Sequence, residues 1–242
     1  LTIEEHLEVI RVSIEAAAGR IQVVAGTGSN DTRHALHTTR RAHELGADGM
    51  LLVVPYYNKP SQEGLVQHFS ALADATDKPI MLYSIPGRSG IEIGLDTIVS
   101  LRKKYPHVHT IKEAGGSCDK VSSILQTLGP DMTVLSGDDS LTLPFMSVGA
   151  KGVVSVTSNL YPGLMVEMVD RALQNDFAAA RALHQRLLPA FHSMLSLEPN
   201  PVCIKYAMYR AGLIVSPAVR LPLVEPRAQS AAALDQVLTE IG

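Results

Sequence analysis

Met50-Leu51-Leu52-Val53-Val54-Pro55-Tyr56-Tyr57 is the stretch on which the fold turns. It is apolar without the gaps of an amphipathic helix, and it ends in polar aromatics. Similar runs begin near Ile21 (IQVVAG), Pro79 (PIMLYSIP), His109 (HTIKEA), Thr133 (TVLSGD) and Gly152 (GVVSVT), at spacings of 29, 29, 30, 24 and 19 residues. Near-continuous Val, Ile and Leu is expected of parallel strands covered on both faces. The segments between them carry helical periodicity. Leu95-Asp96 opens one such segment, Ile98 and Leu101 share its face, and Arg102, Lys103 and Lys104 suit its C-terminus. Val121, Ile124, Leu125 and Leu128 mark another, with Ser117 and Asp119 as candidate caps. Gly46, Gly129 and Gly149 fall where helices should stop. Strands alternating with helices predict a parallel α/β fold.

Beyond Asn159 the strand signal ends. Pro162 to Leu173, Phe177 to Leu195, Pro201 to Ala211 and Ala228 to Ile241 read as helices, separated by Asn175-Asp176, Glu198-Pro199-Asn200 and a proline-rich stretch from Pro217 to Pro226. The first of these helices can complete the last βα unit. The expected division is therefore a βα domain over 1–174 and a helical domain over 175–242.

Composition narrows the function. The chain has 242 residues, 46% hydrophobic and 19% charged, which is a globular balance. A net charge of -3 offers no basic excess for phosphates, so a nucleic-acid partner is not expected. No apolar run approaches a membrane span, and no signal-peptide pattern is visible, so no membrane partner is expected. Cys118 and Cys203 show no metal-ligand spacing and read as reduced thiols of a cytoplasmic protein.

Two architectures use βα units, the closed barrel and the doubly wound sheet. The nearest dinucleotide-type turn, Gly26-Thr27-Gly28-Ser29-Asn30-Asp31, lacks its third glycine, and no strand is followed by Gly-Lys-Ser/Thr. Polar chemistry instead gathers at strand C-terminal ends: Tyr56 and Tyr57, Tyr83, Lys112-Glu113, and Asp138-Asp139. Reactive groups from several strand ends converging on one face is the barrel pattern.

Lys112 is the sharpest of these. A lysine on a barrel strand is costly to bury charged, and desolvation favours the free amine that attacks ketones. A solvated edge lysine, or one paired with Glu113, fits the pattern equally well, although strand alternation should turn Glu113 to the opposite face. Tyr83 could relay protons, but packing is the simpler reading from pattern alone. Arg88, in a Gly/Pro-rich turn, is either a carboxylate clamp or a solvated loop residue. Tyr56 and Tyr57 suit packing, a lid or a contact between subunits. Asp138-Asp139 reads as a helix cap and first-turn acid, and the pairs His34/His37 and His107/His109 as exposed residues, since no third ligand is spaced to complete a metal site.

Together, Gly26-Thr27-Gly28, Pro55-Tyr56-Tyr57-Asn58-Lys59-Pro60, Tyr83-Ser84-Ile85-Pro86-Gly87-Arg88-Ser89-Gly90, Ile111-Lys112-Glu113-Ala114, Leu135-Ser136-Gly137-Asp138-Asp139 and Gly152-Val153-Val154-Ser155-Val156 resemble the dihydrodipicolinate synthase family of class I pyruvate lyases and aldolases. Glu198-Pro199-Asn200-Pro201 and Arg220-Leu221-Pro222 carry the resemblance into the helical region. It implies a (β/α)8 TIM barrel, six of whose eight strands lie in this chain, with a C-terminal helical domain. It also implies a homotetramer built as a dimer of dimers.

The activity implied is that of a lyase with a Schiff-base mechanism. Pyruvate condenses with L-aspartate 4-semialdehyde toward lysine and diaminopimelate, with no metal and no organic cofactor. Lys112 matches the Schiff-base lysine and Tyr83 the tyrosine beside the imine. Tyr57 matches the tyrosine that enters the neighbouring subunit's site. Arg88 matches the arginine on the semialdehyde carboxylate, and Val154 the strand residue bordering pyruvate. Gly-Arg-Ser-Gly also separates the chain from the sialic acid lyases, while Ser84 and Ser89 stand where Asn and Thr are usual. The rival readings are a sister pyruvate aldolase acting on another aldehyde, and a non-catalytic paralogue.

The second of these rivals follows from where the motifs begin. The family opens with two further strands, the second ending in Gly-Thr-Thr-Gly-Glu, whose threonines bind the pyruvate carboxylate. An open six-strand arc would leave unpaired edges, so the expectation is a longer protein extended by about two βα units. A separate departure concerns regulation. In lysine-inhibited members, lysine binds at a dimer interface. His6, Gly28, Asn30 and Tyr56 match parts of that allosteric site, but Ile3 and His34 stand where a His and a Glu are typical. Loss of the acid removes a partner for the lysine amine. Millimolar lysine is therefore expected to inhibit the intact enzyme weakly or not at all, and a steady-state titration that shows strong inhibition would contradict this.

Overall fold

The computed structural model describes residues 1–241. Contacts divide them into two compact units, Leu1–Leu135 and Ser136 onward. The first begins with helix α1 (Ile3–Ala17), which is closed by a capping box. Thr2 Oγ1 accepts from the Glu5 N–H at 3.2 Å, and the Thr2 N–H donates to Glu5 Oε2 at 2.8 Å. Then follow β1 (Val24–Gly26), α2 (Thr32–Glu44), β2 (Gly49–Val53), α3 (Gln62–Ala73), β3 (Ile80–Ser84), the single turn α4 (Pro86–Ser89), α5 (Leu95–Lys104), β4 (Val108–Glu113), α6 (Cys118–Leu128) and β5 (Thr133–Ser136).

The local chemistry of these elements follows the sequence. Asp31 caps α2 through the His34 N–H, Ser61 caps α3 through the Gly64 N–H, and Ser117 caps α6 through the Lys120 N–H. Arg102, Lys103 and Lys104 occupy the last turn of α5, where cations meet the negative end of the helix dipole.

The strands form one sheet in the order β1-β2-β3-β4-β5, and the pairs from β1 through β4 are parallel. This sequential order decides between the two architectures. A doubly wound sheet reverses its strand order at a switch point, whereas a (β/α)8 barrel adds each strand beside the last. Burial alternates along the strands. Met50, Leu52, Ile80, Leu82, Ile111 and Glu113 are almost fully buried, while Leu51, Val53, Met81, Tyr83 and Lys112 on the other face are half-buried. One face therefore carries the core and the other presents side chains to a cavity.

The second unit begins at the end of β5. It contains α7 (Thr142–Ser147), α8 (Pro162–Leu173), α9 (Phe177–Ser196), α10 (Val202–Arg210) and α11 (Ala228–Ile241). Met194, Cys203, Ile204, Ala207 and Leu234 form a buried cluster. Glu198 accepts from Arg227 Nε at 2.8 Å and from Ser230 Oγ at 2.7 Å, and these bonds hold its carboxyl below the ordinary range. No described helix is long and apolar enough to cross a membrane.

Two expectations change. The run at Gly152–Val156 is not a full strand. It makes one bridge, Ser136 to Val153, and the chain then enters a 3-10 turn at Thr157–Asn159, whose first N–H is taken by Asp139 Oδ2 at 2.8 Å. Asp138-Asp139 is also not a helix cap. Leu141 precedes α7 without a side-chain cap, and Asp138 Oδ1 instead accepts from the Ser140 N–H and hydroxyl, both at 2.9 Å. The helix starts too late for either carboxylate to reach its first turn.

Gly28 shows where close packing dictates residue type. A Cβ there would lie 2.4 Å from the backbone nitrogen of Val53 and 3.1 Å from the Leu52 backbone. Gly28→Ala is expected to cost about 1–3 kcal/mol by overpacking, read as a lower melting temperature. An unchanged melting temperature would show that the β1–β2 region accommodates the methyl group.

Candidate active site

The site is built on the register of three strands. Val53 pairs with Tyr83, and Tyr83 with Lys112, so the three side chains stand level on one face. Lys112 Nζ lies 4.0 Å from the centroid of the Tyr83 ring, within the range at which an ammonium is attracted to a ring face. Strand alternation sends the next residue the other way. Glu113 is completely buried on the opposite face, where its carboxylate accepts from the Gly115 N–H at 2.6 Å and sits 3.0 Å from Lys120 Nζ. Glu113 is therefore engaged by α6, on the side of the sheet away from Lys112.

Beside these strand ends is a cavity of about 380 Å³, lined by Gly26, Leu51, Val53, Tyr56, Tyr83 and Arg88. Tyr56 and Arg88 are also shared with a neighbouring space of about 420 Å³ that includes Tyr57 and Lys59. Arg88 rides on α4, whose fixed-φ proline opens the turn. Ser89, buried beneath it, donates to both Ile91 O and Ile85 O, at 2.6 and 2.9 Å. The turn is thus pinned while the guanidinium stays exposed.

Tyr57 is 90% exposed and has φ 74, an unusual conformation for an aromatic residue. The Asn58 N–H donates to Tyr56 O at 3.0 Å, and Asn58 Nδ2 donates to Asn30 O at 2.8 Å, so the loop that throws Tyr57 outward is tied at its base.

His6 lies on α1 with Nε2 2.9 Å from Gly26 O, and Gly28 and Tyr56 line the same cavity. Asn30 joins them through Asn58. The expected allosteric residues are therefore gathered at the β1 and β2 ends. His34 is exposed on α2, while His107 and His109 are half-buried rather than exposed. His107 Nε2 lies 3.2 Å from Ala73 O, because the short loop into β4 packs against α3. Val154 belongs to the second unit, where its N–H donates to Ser136 O at 2.8 Å. Among the described residues no three His, Cys, Asp or Glu side chains gather as a metal site.

Sequence reading missed Lys59, Glu92 and Lys120. Glu92 and Lys120 are 28 residues apart and meet at 2.8 Å, a contact with no periodic signal.

Sequential strand order and side chains converging at strand C-terminal ends define an enzyme of the (β/α)8-barrel class. The profile of the Dihydrodipicolinate synthetase family matches residues 1–241. A 4-hydroxy-tetrahydrodipicolinate synthase from Persephonella marina is 44% identical over 242 residues, covering 100% of this chain and 82% of the relative. The solved 4-hydroxy-tetrahydrodipicolinate synthase from Methylacidiphilum fumariolicum SolV superposes with a TM-score of 0.97 at 47% identity, covering 100% of this chain and 80% of that one. The synthase from Acinetobacter baumannii, solved complexed with pyruvate, gives a TM-score of 0.96 at 40% identity, covering 100% and 82%. The chain belongs to the dihydrodipicolinate synthase family, and with it to the lyases.

Proposed function

We propose that the chain condenses pyruvate with L-aspartate 4-semialdehyde through a Schiff base on Lys112, in the cytoplasm. The observation that carries this reading is the level placement of Tyr83 and Lys112, with the amine 4.0 Å from the ring centroid. Relatives named for this synthesis, and one solved with pyruvate, support it.

The unprotonated Nζ of Lys112 attacks the pyruvate carbonyl carbon, and the carbinolamine loses water to give an imine. The imine draws electrons from the methyl carbon, which loses a proton and becomes an enamine. The enamine attacks the aldehyde carbon and forms the new carbon–carbon bond. The amino group of the bound semialdehyde then displaces Lys112, which closes the ring and frees the lysine. The lysine imine is itself the electron sink, so the steps call for no metal or organic cofactor.

Tyr83 moves protons at the imine. Its relay is completed by Tyr57 of the partner subunit in a homotetramer, a role consistent with an outward-facing, strained tyrosine. Arg88 binds the semialdehyde carboxylate in a forked ion pair. Val154 borders pyruvate. His6, Gly28, Asn30 and Tyr56 persist from a lysine site. The functional division runs between a barrel over 1–174 and a helical domain over 175–242.

Borohydride with pyruvate should fix a stable adduct on Lys112, mapped by peptide mass spectrometry, and labelling of a different lysine or of none rejects the assignment. Tyr83→Phe is expected to lower kcat by about 10²–10⁴-fold. Arg88→Met is expected to raise KM for the semialdehyde by roughly 10–100-fold, the equivalent of one charge-assisted pair, with a much smaller change for pyruvate. An equal rise for both substrates would remove Arg88 from acceptor recognition.

A further inference from the structure

On the far side of the sheet from the cavity, one cation joins three segments. Lys120 stands in the first turn of α6 with only 15% of its side chain exposed. Its Nζ lies 3.0 Å from the carboxylate of Glu113 on β4, 2.8 Å from Glu92 Oε1, and 3.2 Å from Ser84 Oγ at the end of β3. Each contact falls next to a residue of the proposed chemistry. Ser84 follows Tyr83, Glu113 follows Lys112, and Glu92 lies just beyond the turn that carries Arg88. Ser84 and Glu113 are moreover register partners, as Tyr83 and Lys112 are.

The surroundings leave this cation little freedom. Glu113 and Ser84 are both completely buried, and Glu113 also holds the Gly115 N–H at 2.6 Å. A Cβ on Gly115 would lie 2.6 Å from Glu113 Oε1 and 3.4 Å from Glu92 Oε1, so the loop between β4 and α6 is closed over the pair. From the opposite side, Gln62 on α3 accepts from the Gly94 N–H at 2.8 Å and from Thr97 Oγ1 at 2.7 Å, and donates to Glu92 O at 2.9 Å. The Arg88 segment is thus held at one end by α3 and drawn toward β3 and β4 by Lys120.

A buried ion pair is a costly way to add stability, since desolvation consumes much of the attraction. Its strength is directional. The ammonium donates to Glu92 Oε1 and Ser84 Oγ and is held to Glu113 Oε2 by charge at 3.0 Å, so it ties the three backbones to one another. Catalytic geometry tolerates roughly 0.5 Å of error. We infer that Lys120 is a positioning residue. It fixes the ends of β3 and β4 and the Arg88 turn relative to one another, and so sets the distances among Tyr83, Lys112 and the acceptor-binding arginine.

The inference rests on the proposed roles of those three residues. Its test compares variants of the intact protein, and the site of the borohydride adduct in the parent reports on the proposed function separately. Lys120→Met keeps the length and removes the charge. It is expected to lower kcat by about 10–100-fold, the scale of an ångström-sized misplacement, and to slow trapping of the pyruvate imine. Lys120→Arg, which restores a multi-donor cation, should recover activity to within about threefold of the parent, the margin left by arginine's different fork geometry. Parental kcat and trapping in Lys120→Met below its melting transition, even with a lowered melting temperature, would reduce Lys120 to a stabilising role and overturn the inference.

Glu92→Gln is the second variant, since it cuts only the half-exposed arm and serves even if Lys120→Met does not fold. It should raise KM for the semialdehyde by about 3–10-fold, the effect of weakening a single tie, while the trapping rate with pyruvate stays within about twofold. Unchanged kinetics, or an equal loss in both measurements, would overturn the inference.

Discussion

The parallel ladder between β3 and β4 is the constraint on which the rest of the molecule depends. One register places Tyr83 beside Lys112 on one face and Ser84 beside Glu113 on the other. A slip by one residue would exchange the faces. It would turn Lys112 toward the helices and Glu113 toward the cavity, because the side-chain period along a strand is two. The ladder contains an irregularity between Ile80 and Met81, after which the pairing runs regularly to the strand ends. Tyr83, Ser84, Lys112 and Glu113 all lie beyond this point, in the regular part, while His109 is the residue left unpaired at the irregularity.

The two faces of the same strand ends meet different demands. On the core face, Met50, Leu52, Ile80, Leu82 and Ile111 exclude water and hold the helices to the sheet. Where this apolar layer ends, β3 and β4 finish in the buried polar residues Ser84 and Glu113, and Lys120 of α6 meets both. On the cavity face, the half-buried row of Leu51, Val53 and Met81 leads up to Tyr83 and Lys112. The attack on a carbonyl proposed for Lys112 calls for an amine that is both accessible and poorly hydrated. A place among half-buried side chains, over an aromatic ring, meets both requirements.

The fold was legible because its signals are local. Apolar runs about thirty residues apart, serine and aspartate caps, and cations at the end of α5 are written within single elements. The barrel itself was harder to read, since the same runs suit a doubly wound sheet. Strand order, which no single run contains, separates the two. Gly152–Val156 has the composition of a strand, yet only Val153 makes a bridge, because Asp139 draws Thr157 into a turn. A long-range hydrogen bond overrode a local propensity.

The candidate site divides along the same line. Lys112, Tyr83 and Arg88 stood out because each is a reactive residue at an unusual place in a local pattern. Lys120 did not, because a lysine near the start of a helix resembles a solvated surface residue. Its partners lie in three segments, and only the fold brings them within 3.2 Å. Glu113 illustrates how one position belongs to both categories. In sequence it looked like a partner for its neighbour Lys112, and alternation argued against that pairing. The structure assigns it to Lys120, leaving the carboxylate's charge compensated on the core face. A buried carboxylate without that cation would raise the cost of the strand end on which Lys112 stands, so the helix that follows β4 stabilises that strand end without lining the cavity.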